Sequence, residues 1–262
     1  MRTMGAGGWR SVAALLFACL LASPAAAADA DHLTRTLPVP PHTPIAVAIT
    51  EGTITITGEA RSDLAIDIVR RARNGKSTDL LPLVAEKSAD GIQISALQPA
   101  QGDQPGHDPD LQADVTIHAP ADAVFSSVTA FEGRITLTNL RGAITADITR
   151  GPIEATGVSG QVRLTGHLGD VTVQRAQLTP GGLLRLRTFN GNVRLALAKR
   201  PANARVLAVT YNGQISSLMP LQMKTRFGPN FGEASIGSGE PLISIDVVRG
   251  DIQISAPKAP TK

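Results

Sequence analysis

Apolar and polar residues alternate along most of this chain. Ile45, Val47 and Ile49 are separated by alanines, Ile54 and Ile56 by a threonine, and Leu64, Ile66 and Ile68 by Ala65 and Asp67. A period of two is the mark of half-buried strands. Branched Val and Ile are stiff at χ1 and fit a pleated surface. A helical period is missing. The best short helix candidate, Asp79 to Lys87, is interrupted by Pro82, which would remove a helix donor and clash with the preceding turn. The pattern predicts an all-β protein.

A repeat is superimposed on the alternation. Glycine recurs at 133, 142, 151, 160 and 169, a spacing of nine. Two residues after each comes Ile135, Ile144, Ile153, Val162 or Val171, and four after comes Leu137, Ala146, Ala155, Leu164 or Val173. The unit is a turn glycine followed by two inward side chains. Similar units start at Gly52, Gly91, Gly191, Gly213 and Gly250, and the later spacing from Gly169 to Gly191 to Gly213 widens to 22. Five strand residues at about 3.3 Å each give a rung of roughly 17 Å. Such a rung buries too little to stand alone, so rungs must stack. Two nine-residue rungs would make one coil of a flattened, two-sheet β-solenoid, a right-handed β-helix. Short glycine links also suit hairpins in an antiparallel β-sandwich. Spacing leaves both open, and the solenoid is the expectation.

Residues 1–28 read as a secretory signal. Arg2 and Arg10 precede the apolar run Val12 to Leu21, Ser23 and Pro24 break it, and Ala25 to Ala28 supply small residues for cleavage. The run is too short to span a bilayer as a helix. A lipidated cysteine at Leu16-Phe17-Ala18-Cys19 is disfavoured by the bulk of Phe17. Residues 29–44 read as a proline-rich leader in the state of an extended linker, 45–97 as an N-terminal β segment, and 98–112 as an exposed loop. Residues 113–255 form the β-repeat domain and 256–262 a frayed tail. The segment 45–97 and the widened repeats after Gly191 are candidate caps for the stack.

Composition then removes whole classes of chemistry. Cleavage would take two arginines and no acid, lowering the formal net charge from +3 to +1, which leaves little electrostatic support for nucleic acid. The single cysteine, Cys19, would leave with it, so thiol catalysis and thiolate metal sites are not expected. The residues after the repeat glycines are Arg134, Ala143, Pro152, Gln161 and Asp170, not the aspartate per repeat of a calcium β-roll. Asp103, His107, Asp108 and Asp110 share one loop and could hold a hard cation. A solvated polar loop is the expected reading, because ordering a loop around an ion costs entropy. His118 and His167 read as strand or turn residues. No G-x-S-x-G elbow accompanies the serines, and Gly237-Ser238-Gly239 lacks the lysine of a P-loop. A β-helical polysaccharide enzyme would need clustered carboxylates and an aromatic sugar platform. With few aromatics and only Glu132 and Glu154 as glutamates in the nine-residue array, no enzyme is expected, and no cofactor or metal.

The segments TFNGNVRLAL (188–197), TYNGQI (210–215) and VVRGDIQIS (247–255) resemble the bacterial β-strand-repeat domain family known by the name "putative adhesin", a family of unknown function. Its recurrent phrase is a threonine, a polar or Asn-Gly turn and an alternating strand. FGEASIGSGEPLISIDVVRGDIQI resembles its closing segment, and IAVAITEGTITITGEA (45–60) its opening strands. The resemblance implies an envelope-exposed, solenoid-like or mixed β fold, and it brings no catalytic residues.

One surface feature remains. In VRL at 162–164 and 193–195, and LRLR at 184–187, inward apolar residues leave Arg163, Arg185, Arg187 and Arg194 pointing outward. Stacked rungs would align them in a basic stripe able to meet lipopolysaccharide phosphates, murein carboxylates or an acidic protein face. The alternative is solubility charge that blocks edge-to-edge aggregation. The expected function is an exported, non-enzymatic interaction or scaffold protein, periplasmic or at the cell surface, with an envelope protein or anionic envelope polymer as partner. Two other functions stay open: an envelope-stress accessory protein that binds a membrane partner, and a polysaccharide-acting enzyme. Oligomeric state is not legible.

Overall fold

The computed structural model describes residues 29–100, 102, 106–224 and 228–257. The segment read as a secretory signal, Asp103 and most of the tail lie outside the described residues. The chain is all-β: its strands join one 19-stranded hydrogen-bonded network. A single 3-10 turn, Thr78–Leu80, stands where the helix candidate begins, and Pro82 separates it from the following strand.

The centre consists of strands that alternate between two ladders. One ladder holds β7 (Val124–Thr138) in its first half, then β8 (Ile144–Arg150), β10 (Gln161–Leu168) and β12 (Leu183–Asn190), all parallel. The other holds the second half of β7, then β9 (Ile153–Thr156), β11 (Val171–Ala176) and β13 (Val193–Leu197), also parallel. The register follows the repeat. Val128 pairs with Ala146, Ala146 with Leu164, and Leu164 with Leu186, which are steps of 18, 18 and 22. The nine-residue spacing therefore marks alternate corners, and the wider spacing lengthens a connection without changing the register.

Corner glycines explain how a strand crosses from one ladder to the other. β2 (Pro44–Glu59) buries Ile45, Val47 and Ile49 before Gly52, and Ile54 and Ile56 after it. The phase of alternation inverts at the glycine. Gly52 has φ +128, Gly133 +134 and Gly151 +125, values open to glycine alone. An added Cβ on Gly151 would lie 1.8 Å from the Gly133 carbonyl oxygen. These corner glycines stack backbone on backbone.

The corner is closed by side chains that reach one rung along. Asp170 Oδ1 accepts the Asn192 N–H at 2.8 Å, Asn192 Oδ1 accepts the Asp251 N–H at 2.9 Å, and Asp251 Oδ1 accepts the Gln214 N–H at 2.8 Å. Inside, the Thr188 hydroxyl donates to the Gly169 carbonyl at 2.9 Å and the Thr210 hydroxyl to the Gly250 carbonyl at 2.8 Å. This is the physical content of the Thr-x-Asn-Gly phrase: the threonine satisfies a buried carbonyl next door.

The core is one continuous cluster between the ladders, running from Ile45 to Ile254. Every inward position of the nine-residue unit is buried, including Ile135, Ile153, Val171, Leu164 and Val173. Stacked rows of Val, Ile, Leu and Ala fill it, each large side chain contributing about 2–3 kcal/mol on burial.

Chain order and spatial order part company near the C-terminal end. β14 (Ala204–Asn212) and β15 (Ile215–Ser217) do not pair with β12 and β13. Instead β18 (Leu242–Arg249) lies between β12 and β14, and β19 (Ile252–Ser255) between β13 and β15.

Antiparallel strands stand at both ends of the stack. β17 (Asn230–Ile236) pairs with β14, and β16 (Gln222–Lys224) with β17. At the other end β4 (Leu83–Ser88) pairs with β5 (Gly91–Ala96), and β3 (Asp63–Ala72) with β6 (Leu111–Pro120). β2 belongs to the body instead, pairing along its length with β7. The proline-rich leader is a linker only in part. Residues Asp29–Pro38 form β1, antiparallel to β3, with Leu33 and Leu37 packed on the core. Its prolines fall at the end of the strand, on an edge that needs no further donor.

Candidate functional site

The four arginines named from the sequence do not form one stripe. Arg163 and Arg185 are in-register neighbours on β10 and β12, both exposed, and Arg187 follows on the same face. Arg194 lies beyond Gly191 on β13, in the other ladder, where it donates to Asp170 at 2.7 Å. The reason is the corner itself: strand segments on either side of a corner glycine belong to different ladders. Arg187 faces Asp246 at 3.9 Å, and no ion pair joins Arg163 or Arg185 to an acid among the described residues.

The candidate cation loop is occupied by an ammonium. Lys76 Nζ donates to both carboxylate oxygens of Asp108 at 2.7 Å and lies 2.8 Å from Asp110. Those bonds hold the Asp108 carboxyl below its ordinary range. His107 turns away from them, edge-on to Phe131 at 5.1 Å between ring centres. Among the described residues no group of three or more His, Asp or Glu side chains is arranged to hold a metal.

A different row emerges from the rungs. The residue two before each corner glycine points out of the first ladder. At this position stand, in order along the stack, Thr50, Phe131, Thr149, His167, Phe189, Val248 and Tyr211. The His167 and Phe189 rings stack at 5.6 Å with 3° between planes. The pairs Thr188–Val247 and Asn190–Arg249 put Phe189 beside Val248, and Thr210–Val247 with Asn212–Arg249 put Tyr211 on its other side. Phe189 is 53% exposed and Tyr211 62%. The next residue along each strand sets Asn190, Arg249 and Asn212 side by side, all exposed. At the far end the row enters a hollow of about 580 Å³ lined by Thr50, Leu97, His107, Phe131 and Arg150. The Arg150 guanidinium lies 5.3 Å from the Phe131 ring centre.

Aromatics are scarce in the sequence, yet three of the few rings, Phe131, Phe189 and Tyr211, share one repeat position. The signal was present. Counting back two from each corner glycine finds them. A second hollow of about 480 Å³ lies along the opposite corner, lined by Leu178, Pro180, Lys199, Arg200 and Pro241 among others.

No protein-family model and no curated protein matches the chain. Among solved structures, it is similar to a "putative cell adhesion protein" of Clostridium sporogenes at 12% identity, covering 87% of this chain and 100% of that one, with a TM-score of 0.45. A "putative adhesin" of Bacteroides fragilis is similar at 11% identity, over 87% and 97%, with a TM-score of 0.32. A "putative lipid binding protein" of Parabacteroides distasonis is similar at 10% identity, over 87% and 97%, with a TM-score of 0.29. At these scores none of the three fixes a fold or a function for this chain. No helix among the described residues is long and apolar enough to cross a membrane.

Proposed function

We propose that this chain is an exported, non-enzymatic β-repeat protein of the bacterial envelope. Its rigid ladder face holds an envelope protein or an anionic envelope polymer. The architecture we propose for it is a flattened β-solenoid. In-register parallel pairing at steps of 18 and 22 through β7–β13 supports this over an antiparallel sandwich. Export rests on the sequence of residues 1–28, and the resemblance to the β-strand-repeat family points the same way.

One observation carries the interaction reading. The outward face of β10, β12 and β18 presents Arg163 beside Arg185 and Phe189 beside Val248, exposed and in register. A backbone already fixed in a continuous ladder loses little further entropy when a partner docks. Packing does not require an aromatic ring there.

The test is crosslinking of the tagged protein in cells, with mass spectrometry of the envelope fraction. The expected result is one dominant adduct, protein or polymer, that disappears when Arg163 and Arg185 are both changed to Glu. Recovery of nothing, or of the same adduct in equal amount from the doubly reversed variant, would overturn the proposal.

A further inference from the structure

We infer that the row Phe189–Val248–Tyr211, with Asn190–Arg249–Asn212 beside it, is a binding strip for a single acidic polysaccharide chain, one whose sugars carry carboxylates. The inference rests on the interaction reading above and names the ligand class for the same face.

The geometry argues for a sugar chain. Phe189 and Tyr211 are two strand steps apart, roughly 10 Å, with Val248 between them and His167 stacked on the far side of Phe189. The strip is thus long and one residue wide. On one side lie the amides of Asn190 and Asn212. On the other, Thr165, Arg187 and Asp246 are polar, and the line ends on Val209 with Phe231 beside it. An amphipathic strip of that width suits a ligand with flat apolar faces and hydroxyl-bearing edges. A pyranose chain has that construction: its faces stack on rings and its edges accept and donate hydrogen bonds. A bilayer would need a broad apolar surface, and Arg187, Asp246 and Arg249 interrupt this one on both sides of the row. A peptide adding as a strand would need open backbone groups, and those of β12, β18 and β14 are spent in the ladder.

Charge gives the second half. On the outward side of β12 and β18, Arg185, Arg187 and Arg249 stand against Asp246 alone. Arg249 sits between two asparagines with no ion pair among the described residues. A cation held there without a carboxylate partner matches a ligand that brings one, and a guanidinium fork binds carboxylate with two parallel bonds.

The probes are three uronate polymers, polygalacturonate, alginate and hyaluronan, with fully methyl-esterified polygalacturonate as the uncharged form of one backbone. Binding to the exported protein is read by affinity electrophoresis and titration calorimetry. At least one uronate polymer should bind. Phe189→Ala and Tyr211→Ala should each weaken it between about twofold and tenfold, with the thermal midpoint unchanged because both rings are exposed. Arg249→Ala should abolish the preference for free carboxylate over methyl ester. Arg194→Ala, in the other ladder, should change nothing. The inference falls if none of the three polymers binds, or if neither ring substitution weakens binding. It also falls if ester and acid bind alike, or if the ring variants instead lose binding to phosphatidylglycerol vesicles. If no polymer binds while crosslinking still recovers an Arg163- and Arg185-dependent envelope protein, the interaction reading stands and only the ligand class is wrong.

Discussion

Replacing Gly151 with alanine tests the stacked corner directly. The residue has φ +125, outside the range of L side chains, which costs about 1–3 kcal/mol. The new Cβ would stand 1.8 Å from the Gly133 carbonyl oxygen, a backbone atom of the adjacent rung with no freedom to swing aside. The corner must open, which endangers the Gly151 N–H bond to the Leu168 carbonyl at 2.8 Å, worth about 1 kcal/mol. The sum is about 2–4 kcal/mol, a large part of the 5–15 kcal/mol typical of a folded domain. Gly181 is the control. Its φ is +69 and nothing lies within 4 Å of an added Cβ, so Gly181→Ala should cost only about 1–2 kcal/mol. Urea unfolding followed by circular dichroism compares the two midpoints. Equal shifts, or a shift of less than about 1 kcal/mol for Gly151→Ala, would refute the stacked-corner account.

Thr188→Val and Thr210→Val each remove one hydroxyl from a neighbouring glycine carbonyl without changing shape, so each should cost about 1 kcal/mol. The two sites are separated by β18, so the double variant should lose the sum in the same urea assay, and a strongly non-additive loss would argue for one shared network. Asp170 should contribute to acid sensitivity. Burial opposes its ionisation, but the Asn192 N–H and Arg194 outweigh that and hold its pKa below the ordinary 3.8. A depressed carboxyl stabilises above its unfolded pKa and loses that contribution as pH falls through the folded one. Asp170→Asn should therefore be less stable at pH 7 and converge on the wild type as pH falls through the folded pKa; parallel curves would contradict the assignment. Millimolar calcium should leave the melting temperature unchanged, since Lys76 already fills the Asp108–Asp110 cleft. A clear rise on adding calcium would show that the ammonium gives way to the ion.

The strands and their inward faces were legible because each rung obeys one local rule, a glycine followed by branched residues two and four places on. What local rules cannot carry is which rung lies next to which. Gly213 follows Gly191 by the same 22 residues that separate Gly191 from Gly169, yet Gly250 is the glycine that stacks on Gly191. Arg194 was misplaced for a related reason. Its alternation is correct, but the corner at Gly191 turns its strand onto the other ladder. Leu33 and Leu37 mark β1 only faintly among prolines and charges, because an edge strand buries little. The row of rings was readable in the repeat frame and hidden in a composition count.

The placement of β18 and β19 between rungs made earlier has a consequence for the order of assembly. As the chain emerges from its N-terminal end, β12 and β13 present open edges, and β14 and β15 are not the strands that close them. The strands that fill the gap are synthesised last. Until they arrive the growing stack ends in unpaired backbone, with β14 held by its antiparallel partner β17 and waiting. The final strands thus act as a keystone, and locking of the C-terminal third reports that translation has run through Ser255. A chain cut short of Leu242 would leave two raw parallel edges for proteases or other strands to find.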